Sequence, residues 1–588
     1  MNRKPASTSE NLVVLRDAAS GRWLRFQHPV EILSAARAED VLPRLRDIEH
    51  AVETRRLHAA GWISYEAAPA FDPALAVRPP GPLPLLWFGL YENPEPVDPP
   101  TDAAALPDDW RADVDPDAYG RAFDEIKRHI RAGDTYQVNF SYRLRHDAFE
   151  QDPWPAFLAL VGAQRPAYGA YVSAGPWRLC SASPELFFRL DGARLESRPM
   201  KGTAPRGRSA AEDRAQLAAL RACAKNRAEN LMIVDMARND LGRVARPGTV
   251  QTLRLCEPEK FPTVWQLVSA VAAETDASVS EIFSAAFPPA SITGAPKART
   301  MRIIADLETS PRQAYTGAIG FLSPGRRAQF NVAIRTLLLD VRSRAAEYGV
   351  GGGIVWDSDR DAEQAECRTK ARILSAPPRP PFSLLETMLW TPADGIRLLE
   401  LHLARLRDSA DYFDFPFDES RLRADIDNLV RALPPEPQRL RLLLAEDGTP
   451  TLQVQPLAPL GSGPFYRVAL ARRPIDRADV FLCHKTTNRR IYEDAKADFP
   501  GHDDVLLYNA ENEVTESTIA TLAVEIDGAL CTPPVDCGLL PGVARAELLA
   551  RGVLRERPIS LELLRSAPRL FLLNSIRGLF PAVLDPPR

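Results

Sequence analysis

The run "APPRPP" at residues 376–381 constrains this chain more than any other feature of its sequence. Proline lacks a backbone N–H and fixes φ, so neither a helix interior nor a central strand passes through such a run, which favours an extended spacer. At 588 residues the chain is also too long for one core. A boundary is therefore expected at 376–382. A second proline-rich zone, "YENPEPVDPPTDAAALPDD" at 91–109, marks a joint inside the first part. The expected organisation is 1–110, 111–375, a linker at 376–382, and 383–588.

Between these zones the apolar periodicity alternates between two types. "DAYGRAFDEIKRHIRAGDTYQVNFSYRL" reads as an amphipathic helix closed by Gly133 and followed by a strand. "AYVSAG", "WRLCSAS", "LFFRL", "ARLESRPM", "AQFNVAIRTLLLDV" and "AAEYGVGGGIVWDS" each read as a strand. "AEDRAQLAALRACAKNRAENLMIVDMARNDLGRV" reads as two helices. Strands in a long series with helices inserted in pairs predict an α+β fold with large, mostly antiparallel sheets. Past the linker, "SLLETMLWTPADGIRLLELHLARLRDSADYFDFPFD" starts again as strand, turn, strand and helix, with Leu401, Leu403 and Leu406 as its apolar positions.

A formal charge of −4 gives no electrostatic reason to expect nucleic acid or an anionic membrane as partner, so an anionic substrate must be held by local charges. No apolar run approaches a membrane span, and the first residues lack the apolar segment of a signal peptide. Seven cysteines without CxxC pairs fit a reduced, cytoplasmic protein.

In "DRDAEQAECRTKARIL", Glu363, Glu366 and Lys370 fall on one face of a predicted helix. Alone, this is a solvated stripe with one ion pair. It follows "GVGGGIVWDS", whose Gly351, Gly352 and Gly353 let a ligand approach the backbone and offer N–H groups to an anion. Carboxylates beside an anion cradle suggest Mg²⁺ bridging protein and substrate oxygens.

"KNRAENLMIVDMARNDLGRV", "PPASITGAPKARTMRIIADLE", "YTGAIGF", "FNVAIRTLLL" and "GGGIVWDSDRDAEQAECRTKA" resemble, in order, the chorismate-utilising enzymes, which include anthranilate, isochorismate and aminodeoxychorismate synthases. The resemblance implies that Glu229 and Glu366 ligate Mg²⁺ with Glu363 close by. It also implies that Tyr315 and Arg335, with Thr203, Lys370 and the glycine run, hold chorismate. Asn226 departs from the acidic residue usual in the family, which puts a fourth carboxylate at the metal in doubt. Anthranilate synthases resemble PIAGT where this chain has "PMKGT", and aminodeoxychorismate synthases resemble PIKGT. Lys201 is thus implied to add to ring carbon 2 as the 4-hydroxyl leaves, and ammonia then enters at carbon 4. Glu185 in "SASPELFF" matches the family's acidic residue and is implied to be the general acid. Gln266 stands where anthranilate synthases carry a histidine associated with pyruvate elimination.

"HLARLRDSA", "HKTTNRR", "VTESTIATL", "LLPGVARAELL" and "NSIRGLFPA" resemble the fold-type IV pyridoxal phosphate enzymes, with aminodeoxychorismate lyase closest. Here Lys485, placed after an apolar strand end, is implied to be the Schiff-base lysine and Arg405 a phosphate ligand. Glu516 is implied to partner the pyridine nitrogen, with Ser517 nearby. Gly542 and Val543 would give N–H groups to the phosphate, and Asn574 and Arg577 would contact substrate. A separate two-subdomain α+β domain follows from this resemblance.

Together the two halves imply conversion of chorismate to 4-amino-4-deoxychorismate and then to 4-aminobenzoate and pyruvate, a route toward folate. An anthranilate synthase-like enzyme fused to a branched-chain or D-amino-acid aminotransferase-like domain stays open as the alternative. No GxCxG-type nucleophile turn is seen, so nitrogen is expected from ammonia or from a separate glutamine amidotransferase. A homodimer through the pyridoxal phosphate domain is among the arrangements the resemblance allows, and "GWISYEAAPAFD" is similar to the family's N-terminal segment, where some members bind tryptophan.

Overall fold

The computed structural model describes residues 10–98, 103–375, 381–458 and 466–585. Most of the expected linker, 376–380, lies outside the described residues. The chain divides into two compact units, Met1–Arg206 with Gln216–Arg379, and Gly207–Ala215 with Pro380–Arg588. Among the described residues no helix is long and apolar enough to cross a membrane.

The first unit is built on two 10-stranded sheets. Every strand pair in them is antiparallel. Alternation puts Val13, Leu15, Val172 and Leu179 of one sheet against Trp62, Trp87, Ile319 and Phe321 of the other, forming a shared inner core. Trp62 stacks on Trp87 at 5.2 Å between ring centroids. Outside, one sheet packs on helices at Ala38–Thr54, Ala224–Gly242 and Val279–Ala286. The other packs on helices at Pro116–Arg131 and Pro153–Gln164. The layers run helix, sheet, sheet, helix, in line with the expected α+β class.

The strands read from the sequence are present, with one break that matters. "AQFNVAIRTLLLDV" forms two strands, Arg327–Val332 and Thr336–Asp340, separated at Arg335, whose φ of 51° lies in the left-handed region. The chain turns there, and Arg335 leaves the sheet.

In the second unit a four-stranded antiparallel sheet packs through Leu384, Met388, Leu440 and Leu442 on the helices Leu399–Phe413 and Glu419–Arg431. Leu403 and Leu406 face this core, whereas Leu401 is exposed. An eight-stranded mixed sheet forms the other subdomain, with parallel pairing around the strand Tyr466–Leu470.

Candidate active sites

The first unit holds a cavity lined by 23 residues, among them Glu185, Lys201, Thr203, Glu229, Tyr315, Arg335, Gly351, Gly353, Glu363, Glu366 and Lys370. Lys201 sits on the edge strand Met200–Pro205. Burial lowers its amine, opposed by Glu229 and Glu185. Glu185 is buried, accepts from the Ser291 hydroxyl at 2.5 Å, and is pushed up to about 7 by burial against the pull of Ser291 and Lys201. The cavity therefore brings an amine displaced toward neutrality together with a carboxyl displaced toward protonation.

As expected from the sequence, the glycine run lies inside a strand, Ala345–Ile354, paired through Gly351↔Ser141, Gly352↔Phe140 and Gly353↔Asn139. The strand's other edge is paired only as far as Tyr348. The Gly351 carbonyl accepts from Lys370 Nζ at 2.8 Å, so Gly351 points to that open edge, and by the period of two Gly349 and Gly353 do too. Gly352 turns toward the ladder and is absent from the cavity lining. This corrects the expectation that all three glycines cradle an anion. A Cβ on Gly353 would stand 2.9 Å from Lys201 Nζ and 2.1 Å from Gln137 Nε2, which explains glycine there.

Arg335, 6% exposed, has no carboxylate against it among the described residues; Nη1 donates to Gln164 Oε1 at 2.5 Å. Burial lowers its pKa. Tyr315 packs on the bare face of Gly349, and Thr203 accepts from Gln266 Nε2.

Glu363 and Glu366 share a face of the helix Arg360–Ala371 as expected. Lys370 pairs with Glu366 at 2.8 Å. Burial of Glu366 is outweighed by Lys370, leaving its carboxyl low. Glu229 is raised to about 7 by burial, against Lys201 and Lys225, with Glu363 and Glu366 pushing in the same direction as burial. Sequence reasoning missed Lys225. Its ammonium lies 2.6 Å from Glu363 and 3.9 Å from Glu229, and the i, i+4 spacing to Glu229 was the available signal. Among the described residues no three acidic, His or Cys side chains are gathered closely enough to hold a metal. The donor set still fits Mg²⁺ in kind: hard carboxylate oxygens in mutual repulsion, with a lysine ammonium standing in as counter-charge. Asn226 also lines this cavity.

The second unit holds a larger cavity, lined by Arg405, Lys485, Glu516, Gly542, Val543, Asn574 and Arg577 among others. Lys485 follows a helical turn, Val480–Cys483, and not the strand end expected from its apolar approach. Burial, and then Arg405, lowers its amine to about 8. Glu516 accepts from the Tyr492 hydroxyl at 2.8 Å and the Leu540 N–H at 3.1 Å; burial lifts it to about 7 against those bonds. Arg405 is clamped by Glu386 through Nε at 2.8 Å and Nη2 at 2.7 Å. Glu386 is 1% exposed; burial would raise its carboxyl, but Arg405 and His402 hold it at about 2. The sequence signal for it was one acid at an inward position of "LLETMLW".

Gly542 caps the helix Val543–Ala550, leaving N–H groups at its start, and a Cβ there would stand 2.7 Å from Thr521 Oγ1. A lysine lowered toward neutrality, a carboxylate for a ring nitrogen, an arginine and a bare helix start fit pyridoxal phosphate in kind. Ser517 is not brought to the cavity: its hydroxyl bonds to Ala520 within a tight turn, and Thr518 and Thr521 line the wall instead. The Asn574 side chain accepts from the N–H groups of Ile576 and Arg577, shaping the loop that carries Arg577.

Fold and cavities together define a class. Residues 10–376 match the family described as chorismate binding enzyme, and the chain belongs to it; residues 383–584 match amino-transferase class IV. An aminodeoxychorismate synthase component 1 from Escherichia coli is 41% identical over 278 residues, 47% of this chain and 61% of that protein. An anthranilate synthase component 1 from Haloarcula marismortui is 40% identical over 289 residues, 48% of this chain and 57% of that protein. The matched stretch thus spans about three-fifths of each relative, and the near-equal identities do not separate the two activities. Crystalline anthranilate synthase component I from Streptococcus pneumoniae, 22% identical, covers 64% of this chain and 94% of its own with a TM-score of 0.52, a likeness of fold.

Proposed function

We propose that this chain converts chorismate and ammonia to 4-amino-4-deoxychorismate in its first unit and that product to 4-aminobenzoate and pyruvate in its second. The observation that carries the reading is Lys201: an amine lowered by burial, in a cavity shared with a carboxyl raised to about 7 and an arginine with no carboxylate partner among the described residues.

In the first unit, Arg335 and Tyr315 bind a substrate carboxylate, supported by the N–H groups of Gly351 and Gly353. Lys201 Nζ forms a bond to ring carbon 2, both ring double bonds shift (carbons 1–2 to 1–6 and carbons 5–6 to 4–5), and the bond from carbon 4 to oxygen breaks as Glu185 gives its proton to the departing hydroxyl. Ammonia then bonds to carbon 4, both double bonds return, and the Lys201–carbon 2 bond breaks to restore the amine. Glu229, Glu363 and Glu366 would hold Mg²⁺, which supplies positive charge to substrate oxygens. Ammonia comes from solution or from a separate glutamine amidotransferase; the component 1 naming of the relatives supports a partner.

In the second unit Lys485, Arg405, Gly542, Val543 and Glu516 would hold pyridoxal phosphate, which when bound withdraws electrons from the carbon bearing the substrate amine. Lys485 Nζ, lowered to about 8, accepts the ring proton at carbon 4. Arg577 orients a substrate carboxylate. Loss of the enolpyruvyl group completes the aromatic ring.

The test is incubation of the full chain with chorismate, Mg²⁺, pyridoxal phosphate and ammonium, followed by identification of the aminobenzoate isomer. The para isomer is expected. Ortho product alone would overturn the proposal.

A further inference from the structure

The cavity of the second unit carries more positive charge than a cofactor phosphate requires. Its described lining holds Arg405, Arg439, Arg441, Lys485, Arg489, Arg545 and Arg577 against one acid, Glu516. Arg405 is answered by Glu386 and Arg545 by Glu556. Lys485 becomes the cofactor's own attachment. Four arginines remain without a carboxylate among the described residues. A phosphate group brings about two negative charges, so two positive charges are left for the substrate.

Arg489 and Arg577 are partly occupied, donating to the carbonyls of Thr518 and Ala458. No ion pair or side-chain hydrogen bond is made by Arg439, which is exposed, or by Arg441, which is half-buried, among the described residues, and Arg441 Nε is buried without a partner. Strand alternation explains how they come together. In Gln438–Leu444 the side chains of Leu440, Leu442 and Leu444 enter the core, which sends Arg439 and Arg441 to the opposite face. Pairing sets Gln455 beside Arg439 and Thr387 beside Arg441, and both neighbours also line the cavity. The result is a polar patch on the sheet with two arginines on one face, their Cα atoms two residue rises apart, roughly 7 Å. Guanidinium groups held open in a cavity suit planar oxyanions.

We propose that Arg439 and Arg441 form a clamp for a second substrate carboxylate, beyond the one taken by Arg577, and so select a dicarboxylate amine over amino acids with a single carboxylate. This rests on the reading of the second unit as acting on 4-amino-4-deoxychorismate, which carries two carboxylates. The pair are specificity residues, distant in role from proton transfer at Lys485.

The experiment uses the full chain loaded with pyridoxal phosphate, as wild type, Arg439→Ala, Arg441→Ala, the double variant and Arg441→Lys, with 4-amino-4-deoxychorismate supplied directly. Cofactor absorbance is expected to be retained in all, which establishes a folded site. KM is expected to rise roughly ten- to a hundredfold in the double variant, the loss of charge-assisted hydrogen bonds, with kcat changing far less and Arg441→Lys recovering part of the loss. Perturbation of cofactor absorbance by isophthalate, an amine-free dicarboxylate, should be stronger than by benzoate in wild type and equal in the double variant. Unchanged KM and unchanged isophthalate preference in the variants would overturn the clamp. If wild type itself fails to turn over 4-amino-4-deoxychorismate, the reading of the unit falls, and the clamp falls with it.

Discussion

Replacing Glu386 by glutamine tests how the second cavity is held in shape. Glu386 is buried between Arg405 and His402, and among the described residues no other carboxylate bonds to Arg405. A carboxyl held at about 2, against 4.5 when unfolded, contributes about 3 kcal/mol to the folded state at neutral pH. Because the folded value is the lower one, that stability is present above pH 4.5 and is lost as pH falls from 4.5 toward 2. Glu386→Gln removes it and leaves a guanidinium facing a neutral amide, a change of the size measured for broken buried pairs, about 3–5 kcal/mol. Hydrogen exchange read by mass spectrometry on peptides from Leu384–Thr391 and Leu399–Phe413 isolates this unit from the other. The variant should exchange faster by two orders of magnitude or more, bind pyridoxal phosphate more weakly, and show a flatter dependence of protection on pH between 4.5 and 2. Equal protection and equal cofactor affinity in variant and wild type would refute the idea that Glu386 organises the cavity.

Gly353→Ala should lower the first activity and spare the second, since its Cβ would push the ends of the Lys201 and Gln137 side chains from their places; assaying each unit with its own substrate checks this. The first unit needs Glu185 protonated, a state lost as pH rises through about 7, and Lys201 neutral, a state burial favours and acid removes, so its pH–rate profile should be bell-shaped. Glu185→Gln should remove the high-pH decline while lowering the rate roughly 10²- to 10⁴-fold, measurable as a pH–rate profile. Lys485→Ala should eliminate retention of pyridoxal phosphate through gel filtration and accumulate 4-amino-4-deoxychorismate in the full reaction, seen by chromatography.

Much of this was legible because strands and helices announce themselves by local periodicity. "AYVSAG" and "WRLCSAS" became strands, and Glu363, Glu366 and Lys370 share a helix face, through spacing alone. What was illegible depends on residues far apart in sequence. The left-handed turn at Arg335 lies within a stretch that reads as one continuous strand, and only packing against Gln164 and the neighbouring strand reveals it. The glycine run was legible as part of a strand, but the reason three glycines stand in it was not, since glycine weakens strands. Pairing with Gln137–His146 holds it in a ladder, and the close approach of Lys201 and Tyr315 requires the missing Cβ atoms. Lys225 and Glu386 escaped notice because each is one charge in a segment dominated by other signals, and their partners lie 138 and 19 residues away. Ser517 carries a hydroxyl suited to a cofactor, yet the turn to Ala520 uses it first.

The central claim is that Lys201 is the nucleophile of the first unit. The direct measurement is peptide mass spectrometry of the full chain incubated with chorismate and Mg²⁺ in the absence of ammonia. The account predicts a peptide containing Lys201 heavier by chorismate less one water, released when ammonium is added and absent in Lys201→Ala, which makes no 4-aminobenzoate. An unmodified Lys201 peptide, together with full para product from Lys201→Ala, would contradict it.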